Sequence, residues 1–117
     1  MTRITLPWPP SVNRYWRNVE GRTIISAAGR AYRAAVLSEV LQQGAAQHYT
    51  GRLRVRIVAH PPDRRRRDLD NLQKALLDGL EFAGVFDDDG QIDDLRIVRG
   101  ERVRGGRVVV EVEEVDV

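Results

Sequence analysis

An amphipathic segment between residues 61 and 84 constrains the fold of this 117-residue chain more than any other stretch. Its apolar residues recur at helical spacing, which predicts an α-helix with one buried face. These residues are Leu69, Leu72, Leu76, Leu80 and Ala83. Gly84 follows the last turn and is a favourable helix stop. Pro61 and Pro62 end the element before it, so the chain changes here from an extended element to a helix.

The segment before these prolines alternates apolar and basic residues. Between Arg52 and His60, four apolar side chains from Leu53 to Ala59 fall on one side of an extended chain, and three arginines fall on the other. A period of two predicts a strand with a buried apolar face and a basic outer face.

Weaker patterns complete the expected fold. Ser26 is a good N-cap for a helix from Ala27 to about Gln43. The glycine pair at 105–106 predicts a β-hairpin turn between the last two strands. The expected strands are Thr2–Leu6, Arg22–Ile25, Arg52–His60, Leu95–Val103 and Arg107–Val115. This order predicts a single α+β domain over residues 1–117, with two helices packed on a mixed β-sheet.

The composition excludes several classes of protein. The chain has no cysteine, which rules out disulfides, thiolate zinc sites and a cysteine nucleophile. Its apolar runs are too short for a membrane span, and prolines between Pro7 and Pro10 interrupt any signal-peptide pattern. We therefore expect a cytoplasmic protein with no membrane partner.

The net charge of +2 hides a strong asymmetry. Residues 1–74 hold 14 basic and 5 acidic residues, a balance of +9, whereas residues 75–117 hold 5 and 12, a balance of −7. All but one of the 19 basic residues are arginine, whose planar fork binds phosphate bidentately. A basic half indicates a nucleic-acid footprint, although a solvated surface without a partner would show the same balance.

Two aspartates at the start of the central helix are candidate metal ligands. Asp70 and Lys74 are one turn apart and share a face away from the leucines. Asp68 lies at or before the N-cap, so a loop carboxylate and a first-turn carboxylate can converge on a divalent cation. The alternative is structural, with an aspartate as helix cap and an ordinary Asp70–Lys74 surface pair. The preceding run Arg64–Arg67 favours function, because it concentrates positive charge beside the carboxylates.

An acidic loop follows this helix. Asp87, Asp88 and Asp89 are adjacent, and a nearby cation would relieve their mutual repulsion, whereas a solvated Asp-Gly turn would need none. The loop is not an EF-hand. With Gly90 at the invariant glycine, the first and last ligand positions carry no carboxylate.

Residues 13–17 mix aromatic and basic side chains. Arg14 and its neighbours Tyr15 and Trp16 have a composition that can stack on unpaired bases while holding phosphates. The two aromatic residues would serve equally well in the core, so both roles stay open. His60 lies close to the arginine run without an evident partner acid, and it is more simply a surface residue.

Three segments together resemble the RusA family of Holliday-junction resolvases. The central motif PDRRRRDLDNLQKA, at residues 62–75, is similar to that family's specific central motif. ITLPWPPSVNRYWR, at residues 4–17, and GRTIISAAGRAYR, at residues 21–33, look like its N-terminal part. The resemblance covers nearly the whole chain. It implies a small, homodimeric, magnesium-dependent endonuclease that resolves four-way DNA junctions by paired cuts in recombination and repair, often encoded by prophages.

The resemblance also assigns roles to individual residues. It implies that Asp68, Asp70 and Asp89 hold Mg²⁺ and that Lys74 completes the catalytic set. Asp89 is selected by its spacing to the Gln-hydrophobic-x-Asp that follows, although Asp88 is the neighbouring alternative. The DNA-binding residues expected from the basic segments are Arg14, Arg64, Arg65, Arg66, Arg67 and Lys74.

Two other functions fit the same sequence. One is a non-catalytic, structure-selective DNA-binding protein whose aspartates only cap helices. The other is a small regulatory dimer that binds a protein through its arginines, and salt-insensitive binding would distinguish it because phosphate contacts weaken steeply with salt.

Overall fold

The computed structural model describes residues 1–115, so the last two positions of the predicted domain lie outside the described residues. The strands are β1 (Thr2–Leu6), β2 (Trp16–Val19), β3 (Arg22–Ile25), β4 (Leu53–His60), β5 (Ile92–Arg99) and β6 (Arg107–Glu114). The α-helices are α1 (Val12–Tyr15), α2 (Ala27–Gln42) and α3 (Asp70–Phe82), and one 3₁₀ turn spans Asp89–Gln91. The predicted α+β class is confirmed. Among residues 1–115, no helix is both long enough and apolar enough to cross a bilayer.

Four strands form a mixed sheet in the order β1-β6-β4-β5. β4 and β5 are parallel, and α3 lies in the connection between them. β6 is antiparallel to both β4 and β1. Each of the two inner strands thus has a partner on both sides.

The predicted hairpin between the last two strands is wrong. β5 and β6 are not neighbours, because β4 lies between them. Gly105 and Gly106 do adopt left-handed conformations, with φ of 81° and 73°. However, residues 100–106 pass over the end of β4, where the Val103 amide donates to the Pro61 carbonyl at 3.0 Å. The apolar side of β4 is fully buried. Because β4 lies between β5 and β6, it pairs with a strand on each side.

Both long helices cover the same face of the sheet. The buried strand residues alternate, as in Leu53, Val55, Ile57 and Ala59 of β4, and their side chains join those of α2 and α3 in one core. The intervening strand residues are half-buried or exposed. The predicted apolar faces of β4 and α3 are therefore confirmed.

The region between β1 and α2 contains elements that periodicity did not predict. α1 is one turn long, and β2 pairs with β3 in a separate two-stranded sheet. Glu20 and Gly21 close this hairpin with φ of 50° and 77°, as a two-residue turn with both φ positive requires. α2 then begins at the predicted cap, where the Ser26 hydroxyl oxygen accepts from the Gly29 amide at 3.0 Å.

Candidate active site

The polar face of α3 carries charges at both of its ends. Asp70, Lys74 and Glu81 fall within about 40° of one another around the helix at 100° per residue. All three are exposed, whereas the opposite side of α3 is buried. Asp70 and Glu81 are eleven positions apart in the sequence, so about 16 Å of helix separates them.

The start of α3 uses neither of its two aspartates as a helix cap, although Asp70 lies in the first turn, where the helix dipole favours a negative charge. No side chain caps the helix, and Leu69 occupies the cap position. The Asp68 backbone carbonyl accepts from the Asn71 amide at 3.2 Å, but this bond does not use its carboxylate. Within residues 1–115, no ion pair joins Asp70 to Lys74. Neither the aspartate cap nor the Asp70–Lys74 pair is therefore found among the described residues.

Three carboxylates converge beyond the other end of α3. Glu81, Asp88 and Asp89 each offer an oxygen within 4.8 Å of the other two, and all three side chains are exposed. Among the described residues, no other group of three His, Cys, Asp or Glu side chains brings its ligand atoms within 4.8 Å of one another. They line a cleft of about 500 Å³ together with Lys74 and Trp16.

The three acids differ in how far the loop already uses them. Asp88 Oδ1 accepts from the Gly90 amide at 2.8 Å and caps the 3₁₀ turn. Glu81 Oε1 accepts from the Asp89 amide at 2.9 Å. The Asp89 carboxylate accepts no hydrogen bond from the described residues. Of the two candidates left open by the sequence, Asp89 is the one whose carboxylate is free.

Gln91 holds this loop in place. Its side-chain oxygen accepts from the amides of Asp87 and Asp88 at 3.0 and 2.8 Å. Its side-chain nitrogen donates to the carbonyls of Tyr49 and Gly51 at 2.9 and 2.8 Å. One amide side chain thereby fixes the acidic turn against the segment before β4.

The structure brings some of the predicted site residues together and keeps others apart. Asp89 and Lys74 line the same cleft. Asp68 lines a different one, and neither Asp68 nor Asp70 belongs to the convergent carboxylate group among residues 1–115. Sequence reasoning missed Glu81. Its signal was present, because Glu81 repeats the Asp70–Lys74 face two turns further on.

The convergent carboxylates fit a divalent cation by their chemistry. Mg²⁺ and Ca²⁺ bind carboxylate oxygens, and Mg²⁺ in particular needs few protein ligands because it keeps several waters. Three exposed carboxylates with free oxygens meet that requirement.

The four consecutive arginines before α3 are not equivalent. Arg67 is bound bidentately by Asp63, with Nη1–Oδ1 and Nη2–Oδ2 distances of 2.6 and 3.1 Å. The Arg67 guanidinium also lies 5.7 Å from the centre of the Trp8 ring. The hydrogen bonds from Arg67, and also that from the Arg65 amide, lower the pKa of Asp63 to about 2. Arg67 therefore holds the loop, and its side chain is only 24% exposed.

The other three arginines remain available. Arg64 and Arg66 are exposed, and no carboxylate within the described range lies in ion-pair distance of either. The Arg65 side chain is 82% exposed and only reaches Asp63 at 4.0 Å. An open groove of about 540 Å³ runs beside them and includes Arg14, Arg65, Arg66 and Asp68 in its lining.

The outer face of β4 is less basic than its sequence suggested. Arg52 is paired with Asp93. Arg54 is paired with Asp94 at 3.0 Å and with Glu113 at 2.9 Å. Acidic residues from the C-terminal half therefore neutralise part of this face.

A partly buried network ties α1, α2 and α3 together beside the acidic cleft. Tyr15 is fully buried, and its hydroxyl donates to Asp78 Oδ2. Arg33 donates to both Asp78 oxygens at 2.8 and 2.9 Å. Burial opposes ionisation of Asp78, but the hydrogen bonds from Arg33 and Tyr15 outweigh it and hold the pKa below its usual value. Burial is the main cause of the raised pKa of Tyr15.

His60 has a structural environment. Its Nδ1 lies 2.8 Å from the Glu101 carbonyl oxygen. The ring packs against Gly100, where an added Cβ would lie 2.6 Å from His60 Cε1. His60 therefore holds the connection between β5 and β6 in place.

Known proteins resemble this chain over almost its entire length. The family model described as endodeoxyribonuclease RusA matches residues 7–113. The chain belongs to the RusA family of endodeoxyribonucleases. The family resemblance seen in the sequence motifs is thus confirmed.

Relatives from bacteria and bacteriophages carry the same printed name, crossover junction endodeoxyribonuclease RusA. The Shigella sonnei protein is 50% identical over 115 residues, covering 95% of this chain and 92% of that relative. The Escherichia coli K12 protein is 49% identical with the same coverage. The protein of Enterobacteria phage HK97 is 44% identical, and the match covers 97% of this chain and 95% of the phage protein. Phage-encoded members fit the expected prophage origin.

Proposed function

We propose that this chain is a magnesium-dependent endonuclease that cuts four-way DNA junctions in symmetric pairs. The observation that carries the proposal is the set of unpartnered charges on and around α3. Asp70 and Lys74 share its polar face, and Asp89 lies in the cleft that Lys74 lines. Family membership supplies the reaction class, and the names of the relatives supply the crossover junction as substrate.

Lys74 is positioned to act on the phosphate. It is exposed and lies between the two acidic ends of α3. An ammonium group there can donate hydrogen bonds to phosphate oxygens as negative charge develops on them. Arg14, Arg64, Arg65 and Arg66 would hold the flanking phosphates, since each has an exposed side chain.

We assign the cation to Asp68, Asp70 and Asp89. A bound divalent ion would supply an activated water and neutralise charge on the phosphate. The chain's own contribution is to keep these carboxylates exposed and, among the described residues, free of competing ion pairs. Glu81 and Asp88 support Asp89, because their oxygens hold the backbone amides of the turn.

The spacing along α3 supports a homodimer. An intact helix keeps Asp70 about 16 Å from Glu81, so a single chain does not bring the first-turn aspartates to the acidic turn. A second α3 related by a two-fold axis perpendicular to the helix would place its first turn beside the last turn of its partner. Such a dimer would hold two equivalent sites, which matches a substrate that requires two symmetric cuts.

The decisive experiment compares a synthetic four-way junction with a linear duplex of the same sequence, with and without Mg²⁺. We expect paired cuts in opposite strands of the junction, dependent on the metal, with the duplex left intact. Metal-dependent binding without cutting would replace the proposal by a non-catalytic DNA-binding function. Equal cutting of the duplex would remove the junction as the specific substrate.

A further inference from the structure

Trp16 separates the acidic cleft from a second open cleft that the proposed function does not use. This second cleft has a volume of about 520 Å³ and is lined by Val12, Asn13, Trp16, Arg17, Asn18 and Thr23. On the other side of Trp16 lie Lys74 and Asp89. One aromatic side chain is therefore shared between a phosphate-directed cleft and a cleft rich in amides.

We propose that this second cleft, here called the amide cleft, binds a nucleobase of the DNA next to the cut phosphate. The inference rests on the proposed endonuclease function and extends it to the choice of cutting position. Trp16 would stack on the base, Asn13 and Asn18 would read its edge, and Arg17 would hold its phosphate.

The setting of Trp16 suits a rigid stacking platform. Its ring meets the buried Tyr15 ring edge-on, with centroids 4.9 Å apart and planes at 72°. Tyr15 is itself fixed by its hydrogen bond to Asp78. Trp16 is only half-buried, so the indole packs against the core on one side and also borders the two open clefts. Stacking on such a ring tolerates every base, because every base has a π-face.

The amide side chains supply what stacking lacks, which is discrimination between bases. Asn18 Oδ1 accepts from the Thr23 hydroxyl at 3.1 Å, which orients the amide. Within residues 1–115 the Asn18 amide nitrogen and the Asn13 side chain make no hydrogen bond to protein. Asparagine can pair with a base edge through both a donor and an acceptor. Two exposed amides, Asn13 on α1 and Asn18 on the β2–β3 hairpin, can therefore select a base.

The hairpin that carries Asn18 is tightly held. The turn at Glu20 and Gly21 closes β2 onto β3. At its other end Gly29 packs so closely that an added Cβ would lie 2.6 Å from the Tyr15 carbonyl oxygen. Arg17 is exposed, and no carboxylate among the described residues pairs with it. The amide cleft thus combines a fixed wall, free amides and an unpaired cation.

The test uses four-way junctions that differ only in the base beside the cut phosphate, which is A, C, G, T or absent. We expect wild-type single-turnover cutting in Mg²⁺ to favour one base and to fall about 10- to 100-fold at the abasic position, in line with stacking on one aromatic ring. Trp16→Ala should remove the difference between intact and abasic junctions. Asn13→Ala and Asn18→Ala should reduce the preference among the four bases, whereas Arg64→Ala should slow all of them equally.

A readout without metal separates this inference from the proposed function. The fluorescence of 2-aminopurine placed at the same position should change when wild-type protein or Trp8→Phe binds, but not when Trp16→Ala binds. If wild type binds with this change yet never cuts, the endonuclease proposal fails and the base-binding cleft stands. If wild type cuts intact and abasic junctions alike, or if all amide and Trp16 variants slow every junction equally, the amide cleft is not a base site.

Discussion

The two ends of α3 carry opposite charges. Four arginines precede its start, and one of them is held by an aspartate. Aspartates and a glutamate lie at its end, and two of these acids hydrogen-bond to the backbone of the turn. At the first end Arg67 is locked by Asp63 while Arg64 and Arg66 stay free. At the second end Asp88 and Glu81 hold the turn while the Asp89 carboxylate has no donor among the described residues.

This difference shows how neighbouring like charges divide their roles. In both runs the residue fixed by short hydrogen bonds shapes the loop, and its neighbour is left for a ligand. The division follows from geometry, because adjacent residues in an irregular segment point in different directions. Substitutions of paired neighbours therefore test the comparison directly.

The largest expected effect is on catalysis at the acidic end. Asp89→Asn should reduce cutting of a four-way junction by more than the roughly 10- to 100-fold typical of residues that only support metal ligands. Asp88→Asn should stay within about 10-fold of wild type, because asparagine caps a turn as well as aspartate does. The measurement is the cutting rate against Mg²⁺ concentration for both variants.

A dead Asp88→Asn beside an active Asp89→Asn would reverse the assignment within the loop. Full activity of both would show that the acidic turn is solvated and that the metal is held elsewhere.

Asp70→Asn provides the matched substitution at the other end of α3. It should abolish cutting while junction binding stays intact or strengthens, because one negative charge near the phosphates is lost.

Mixing two inactive variants tests whether the two ends of α3 meet across a dimer. A mixed dimer of Asp70→Asn and Asp89→Asn would keep one complete site if each site takes one end of α3 from each chain. We expect the mixture to nick one strand of the junction, although neither variant does so alone. No nicking by a mixture shown to exchange subunits would place all ligands of each site in one chain.

The sequence predicts some helices and strands of this fold and not others. Long periodic segments such as β4 and α3 were predicted correctly, because many side chains repeat the same burial pattern. α1 and β2 are four residues each and carry no period. The hairpin prediction failed because a glycine pair specifies a turn, while sheet order depends on which strand needs two neighbours.

The candidate site shows the same limit. The residue types of the site follow from the sequence, but which of four arginines is locked depends on Asp63 and Trp8, which reach Arg67 only in the folded loop. Likewise the sequence does not distinguish the roles of Asp88 and Asp89. In the folded loop the Asp88 carboxylate accepts from the Gly90 amide.

The arginine end should show a smaller effect, on binding. Arg64→Ala combined with Arg66→Ala should flatten the log–log salt dependence of junction binding by roughly two units, because about two phosphate contacts are lost. The melting temperature should not change. Arg67→Ala should instead lower the melting temperature and leave the salt slope near that of wild type. An unchanged slope in the double variant would show that these two arginines face away from the DNA.

The smallest expected effect is on stability and concerns Asp78, an aspartate of the acidic cleft whose oxygens are all engaged. Because its pKa is lowered in the folded protein, its contribution to stability is present above the unfolded pKa of about 3.9. That contribution is lost as the pH falls through the lower folded value. Asp78→Asn should therefore melt a few degrees below wild type between pH 5 and 8, given about 1 kcal/mol for a half-buried charged hydrogen-bond partner. The gap should narrow below about pH 4.

The same variant distinguishes the engaged aspartate from the free one. Asp78 lies in the cleft with Asp89, but its oxygens already accept from Arg33 and Tyr15. At a temperature where Asp78→Asn is folded, its half-maximal Mg²⁺ concentration for cutting should match that of wild type, while that of Asp89→Asn should not. A shifted Mg²⁺ requirement in Asp78→Asn would mean that this carboxylate belongs to the metal site. A melting gap that stays constant down to pH 2 would mean that the ionised form of Asp78 does not stabilise the link between α1, α2 and α3.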